Sequence, residues 1–303
     1  MVDFRELVKA GVHFGHQKSR RFPKMAPYIW GEKNRVSIIN VAQTANHLQK
    51  AADFLKDVAA KNQTILWIGT KKPAQQIVLD IATNLDSPYV NHRWIGGTLT
   101  NSEQVKKSRT KMLHFEDVIA RSDKYPNYTK KELNVIQKLV TRLQKSVGGV
   151  RKLNWPIGAI VMVDVEKESS ALKEAVAMGI PVVALVDTNC DPSLVNYVIP
   201  ANDDSERSIR FLLEYLAAAV VEGRELGAKN RKEQEELKKI ARVPAAKKIE
   251  EVLIASLEAA PLLEPVASIV TVEEIEEIEE VAASEKDTMK KAKPTAPRRP
   301  DKK

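Results

Sequence analysis

His13, His16, Lys18, Arg20, Arg21 and Lys24 crowd one N-terminal stretch, GVHFGHQKSRRFPK, interleaved with Phe14 and Phe22. This mixture suits a nucleic acid: the cations pair with phosphates, and the rings stack on bases or ribose. The competing reading is a strap whose aromatics seal a sheet edge. The two combine if Phe14 enters the core and the basic run faces RNA. A second stretch, Gly69-Thr-Lys-Lys-Pro, sets Lys71 and Lys72 between an apolar run and a helical pattern. A helix N-terminus attracts phosphate, but the spacing of a triphosphate-binding loop is missing. A third stretch, Asn91-His-Arg-Trp-Ile-Gly-Gly-Thr-Leu-Thr-Asn101, offers Arg93 for bidentate phosphate contact. Its paired glycines permit close backbone approach. Trp94 fits a core anchor, while Thr98, Thr100 and Asn101 either meet RNA or cap the next helix.

Acidic groups gather later in the chain, in Asp187-Thr-Asn-Cys-Asp-Pro and Asn202-Asp-Asp-Ser. Both follow apolar runs, so they border the crevice at the carboxyl edge of an α/β sheet. Catalytic carboxylates are one reading; helix caps and Asx-turns are the other. No base–nucleophile pair stands beside them, which argues against an enzyme on a phosphorylated small molecule. His16, Asp187 and Asp203 also form a candidate ligand set for a structural divalent cation, zinc or magnesium, with Asp204 as a further donor. In the alternative, His16 bonds an aspartate directly and Asp203 caps the following helix.

Charge is distributed unevenly. Residues 1–160 hold 27 Lys/Arg against 12 Asp/Glu, whereas residues 161–220 hold 4 against 10. A basic part and an acidic part suggest a polyanion met by one face. No apolar run is long enough for a bilayer, and the first residues lack the apolar segment of a signal peptide. The single cysteine, Cys190, rules out an internal disulfide and fits a reducing cytosol.

These groups need a scaffold. The runs 64–69, 157–164, 182–187 and 197–199 read as buried strands, with helices expected after Pro73 through Thr83, at Ser170–Met178 and at Asp203–Glu222. An Asp203-x-x-Glu206 capping box opens the last of them. Continuous apolar strands alternating with helices imply an open parallel sheet covered on both faces. One insertion interrupts the alternation. Thr100-x-x-Glu103 and Thr129-x-x-Glu132 each cap a helix; Leu133, Ile136, Val140, Leu143 and Val147 repeat every three or four residues, a coiled-coil seam. Gly148-Gly149 supplies the stop. The outer faces carry Lys106, Lys107, Arg109 and further cations. The expected organisation is an α/β domain at 1–100 and 148–227, a helical hairpin at 101–147, and a variable, largely disordered extension at 228–303, where proline and charge blocks leave little apolar area to bury.

Six blocks carry a resemblance: GVHFGH, KMAPYIWG, ILWIGTKK, NHRWIGGTLTN, IPVVALVDTNCDP and YVIPANDDSERSI. In this order, across residues 1–227, they resemble the bacterial-type ribosomal protein S2 family. The resemblance implies a flavodoxin-like (Rossmann-like) open parallel sheet flanked by helices, carrying an antiparallel coiled-coil hairpin. It implies a cytoplasmic or organellar ribosome-bound protein on the solvent side of the small subunit. It also implies contacts with small-subunit rRNA and with neighbouring ribosomal proteins, ribosomal protein S1 among them, and neither enzymatic activity, required cofactor, small-molecule substrate nor membrane. On this view the RNA contacts come from the strap cations, Lys71, Lys72, Arg93, Thr98, Asn101, Lys106, Lys107 and Arg109. One segment, Arg151-Lys-Leu-Asn-Trp-Pro156, departs from the family's usual wording, and the hairpin is loosely matched.

Overall fold

The structure, a computed structural model, describes residues 3–121 and 129–231. The expected turn at 123–127, and the extension from residue 232 onward, lie outside the described residues. The parallel sheet is built from β4 (Thr64–Ile68), β5 (Tyr89–Val90), β6 (Ile157–Val163), β7 (Val182–Val186) and β8 (Tyr197–Pro200). Its strand order is β5-β4-β6-β7-β8, with every pair parallel. This is the flavodoxin-like order, and it reverses between β4 and β6.

Successive strand residues serve opposite faces, as the two-residue period of a strand requires. Ile65, Trp67, Val161, Val163, Val183 and Leu185 enter one core. There they meet α2 (Val41–Ala60), α3 (Lys72–Asn84) and α7 (residues 206–231). Leu66, Ile68, Ile160, Met162, Val182 and Ala184 enter the other, with α6 (Ser169–Ala177) and the root of the hairpin. Ahead of the sheet come α1 (Phe4–Lys9) and a three-stranded antiparallel sheet of β1 (Phe14–Gln17), β2 (Ile29–Lys33) and β3 (Val36–Ile39), ordered β1-β3-β2. Phe14 does not enter the core; it is 52% exposed, and Val12 is buried in its place.

The inserted helices are α4 (Ser102–Ala120) and α5 (Lys130–Val147), packed on each other. Gln144 Nε2 donates to Glu116 at 2.9 Å and Arg109 to the Arg151 carbonyl at 2.9 Å, so α5 runs back along α4. Val140 and Val147 are buried, and Leu133, Ile136 and Leu143 half-buried, on one face. The Thr129–Glu132 capping box forms. The one expected at Thr100 does not: α4 begins after Asn101, with no side-chain cap. Gly148 ends α5 in right-handed geometry rather than as a left-handed stop. Its neighbour Gly149 instead passes so close to β5 that a Cβ would lie 2.2 Å from the Tyr89 carbonyl oxygen.

The last helix also corrects the expectation. The Asn202 side chain accepts from the Asp204 and Ser205 amides, at 2.9 and 3.2 Å, leaving Asp203 free of capping. The helix then continues through residue 231, so residues 228–231 extend a helix of the α/β domain. Gly223 and Gly227, one turn apart, seat it on α2.

Candidate nucleic-acid interface and acidic cluster

The N-terminal strap is fastened across the carboxyl edge of the parallel sheet. The His16 amide donates to Thr188 Oγ1 at 2.9 Å and the Phe22 amide to the Thr188 carbonyl at 2.8 Å. Lys24 Nζ reaches Asp191 at 3.1 Å and Ser193 Oγ at 2.7 Å. The loops after β4, β6, β7 and β8 all end on this edge because the strands are parallel. They bring together residues far apart in sequence.

His16 Nδ1 lies 2.9 Å from Asp187 and its Nε2 3.3 Å from Asp204. Lys71 turns inward as well, with its ammonium 2.7 Å from Asp203, 2.6 Å from Asp204 and 3.6 Å from Asp164. Burial opposes the Lys71 charge, but its hydrogen bonds to Asp203 and Asp204 outweigh this and hold its pKa above the ordinary lysine range. The Asp187 carboxylate likewise raises His16, against burial. Asp203 is fully buried, and burial together with the facing Asp187 pushes its pKa up to about 7 in spite of Lys71. His16 therefore sits at ion-pair distance from Asp187 and Asp204, while its buried Nδ1 makes no aligned hydrogen bond among the described residues. Asp203, however, pairs with Lys71 rather than capping a helix.

The crevice between β4 and β6, where such folds take ligands, is filled by the chain's own side chains. Glu168 is buried and accepts from both the Thr70 amide and the Thr70 hydroxyl. Lys167 Nζ and Gln75 Nε2 both donate to the Thr70 carbonyl, each at 2.9 Å. In the loop that resembles a phosphate loop in position, Thr70 and Lys71 are thus turned to protein, while Lys72 is exposed.

A different anchor shapes the Asn91–Asn101 segment. Glu174, on α6, accepts from Trp94 Nε1 at 3.0 Å, from the Gly97 amide at 2.8 Å and from the Leu99 amide at 3.0 Å. Trp94 is buried as expected. Thr98 is buried too, and its hydroxyl donates to the Ile95 carbonyl at 2.6 Å, so it faces the protein interior. Glu174 has no sequence signal of its own, because its partners lie 75 to 80 residues earlier.

The structure therefore divides the expected RNA contacts. Lys18 pairs with Glu32 at 2.7 Å and Lys24 with Asp191; Lys71 is held in the acidic cluster, and Thr98 is internal. Arg20, Lys72, Arg93, Asn101, Lys106 and Lys107 are exposed, and Arg21 is half-exposed. Arg109 is half-buried, tied to Arg151. As metal ligands, His16, Asp203 and Asp204 each offer an atom within 4.8 Å of the others, and Asp203 Oδ2 has no hydrogen-bond partner among the described residues. The donor set suits a divalent cation, but the Lys71 ammonium already neutralises two of its carboxylates.

Comparison with known proteins agrees over the whole of this architecture. The family described as "Ribosomal protein S2" matches residues 7–223. A relative from Renibacterium salmoninarum, named small ribosomal subunit protein uS2, is 39% identical over 288 residues, covering 95% of this chain and 97% of its own. Proteins of the same name from Salinispora arenicola and Corynebacterium diphtheriae are 44% and 42% identical. Each of these alignments covers 74% of this chain, and 80% and 84% of the respective relative.

Proposed function

This chain belongs to the ribosomal protein S2 family, and from that premise we propose that it is a structural constituent of the small ribosomal subunit that binds small-subunit rRNA. The family is one of structural proteins rather than enzymes, and the filled crevice between β4 and β6 suits that role. The observation that carries the RNA reading is the placement of charge. Arg20, Lys72, Arg93, Lys106 and Lys107 are exposed and form no ion pair among the described residues, while most acids of the carboxyl edge are paired internally. Phosphate contacts of this kind position a protein without reading sequence. On the same proposal, as the family resemblance implies, the chain helps dock neighbouring ribosomal proteins, ribosomal protein S1 among them.

The test is the salt dependence of binding to small-subunit rRNA. Each phosphate contact contributes about 0.7–0.9 to the slope of log K against log salt. Replacing Arg20 and Arg21 together by glutamine should therefore flatten the slope by about 1.4–1.8. An unchanged slope would take the strap out of the contact surface.

The orphaned Asp203 oxygen favours a second feature: a structural divalent cation, zinc or magnesium, held by His16, Asp203 and Asp204 beside Asp187. Its role would be to fasten the strap to the sheet edge. Calorimetric titration of the metal-free chain with zinc tests it. Uptake of one ion that H16A abolishes supports the site, and heats identical in the two proteins remove it.

A further inference from the structure

We propose that Trp155 is a stacking platform for an unpaired RNA base, with the cleft beside it receiving the base edge; this rests on the rRNA-binding reading above. Trp155 belongs to the Arg151–Pro156 segment that leads into β6. Trp67 and Trp94 are buried; Trp30, on β2, is 75% exposed, and Trp155 is 40% exposed and the one that borders a cleft lined by amides.

Trp155 stands between two depressions. On one side is a cleft of about 500 Å³ at the amino edge of the sheet, where Asn62, Gln63, Asn154 and Lys152 join it. On the other is a small hollow at the root of the hairpin, shared with Lys106 and Arg109. An aromatic face flanked by cations and amides is what a single strand requires. The base stacks, its edge meets amide donors and acceptors, and an adjoining phosphate meets the exposed Lys106. In a duplex the bases remain stacked on each other and cannot reach the indole. The exposed side chains around the indole are chiefly amides and charged groups, the partners a base edge and its phosphates use. Lys152 pairs with Asp86, and Arg224 donates to the Leu85 carbonyl and, at 2.8 Å, to Ser87 Oγ. These bonds hold the far wall in place and leave the amides of Asn62, Gln63 and Asn154 exposed to the cleft.

The experiment measures binding of the full chain to a short single-stranded adenosine oligoribonucleotide and to an RNA duplex of equal length, at one salt concentration. Stacking of one base on an aromatic corresponds to roughly a ten-fold change in affinity. Trp155→Ala should weaken single-strand binding roughly ten-fold and leave duplex binding within about two-fold, and Trp155→Phe should restore most of the loss. Partial unfolding of a variant would lower both affinities alike, so their ratio is the readout. An unchanged ratio in Trp155→Ala overturns the proposal while leaving the phosphate contacts of Lys106 and Lys107 standing. If the wild-type chain binds neither RNA, the rRNA-binding reading fails and takes the proposal with it.

Discussion

Replacing Glu174 by alanine removes the acceptor of three N–H groups at once. The Gly97 amide is half-exposed, so water can replace the carboxylate there. Trp94 and Leu99 are buried, and their donors would be stranded. An unsatisfied buried donor costs about 1–3 kcal/mol, which puts the pair at about 2–6 kcal/mol. The flanking Gly96-Gly97 lets the segment relax, so the lower half of that range is expected, about 2–4 kcal/mol. Glutamine keeps the shape and one oxygen acceptor, but it turns an NH2 toward one of the donors, so Glu174→Gln should cost about 1–2 kcal/mol. Urea unfolding of the full chain measures both values, with the slope against denaturant unchanged if the native and unfolded states keep their exposure. Hydrogen exchange at the Gly97 and Leu99 amides should accelerate with the same ordering of variants. An alanine variant within about 0.5 kcal/mol of wild type, the range of an ordinary surface change, would refute the anchor. So would a glutamine variant less stable than the alanine one.

Two further predictions concern helix packing. On α5, Val140→Ala should cost about 2 kcal/mol and the half-buried Ile136→Ala about 1–2, while the exposed Val135→Ala stays within about 0.5; a larger cost at Val135 than at Val140 in urea unfolding would place the helix-packing seam elsewhere. On α7, a Cβ at Gly223 or Gly227 would lie 2.3 Å from the carbonyl oxygen of Lys56 or Ala60, so Gly→Ala at either position should lower stability by about 1–2 kcal/mol in spite of alanine's better helix propensity. A rise in melting temperature for either variant would contradict the close approach of α7 to α2.

Much of the scaffold was legible because it rests on local patterns. TILWI, IGAIVMV and VVALV are continuous apolar runs, and a strand buried on both faces of a parallel sheet is the structure that satisfies them. The Thr129–Glu132 box was legible because both partners sit within one helical turn. Other elements were missed. The twenty-residue helix α2 was overlooked although its buried positions, from Thr44 through Leu48, Ala51, Ala52 and Leu55, keep helical spacing; several are alanines, which mark a face weakly. β5 is two residues long and has no pattern to read. The small antiparallel sheet was hidden by register shifts in its short strands, and the exposed Phe14 by its apolar type.

The candidate site divides along the same line. The sequence by itself determined which groups were available: a strap rich in cations, acidic loops after apolar runs, a basic hairpin, and the apolar runs that become parallel strands. Where each charge points was decided only by the tertiary structure. Lys71 looked like a phosphate ligand at a helix start, but it is drawn to Asp203, 132 residues away, because a fully buried carboxylate must be paired or protonated. Arg20 and Lys107, of the same chemical type, face solvent and form no ion pair among the described residues. Local spacing sets helices and strands through backbone geometry. The pairing of buried charges depends instead on which loops share an edge, and that is settled only when the sheet closes its strands side by side.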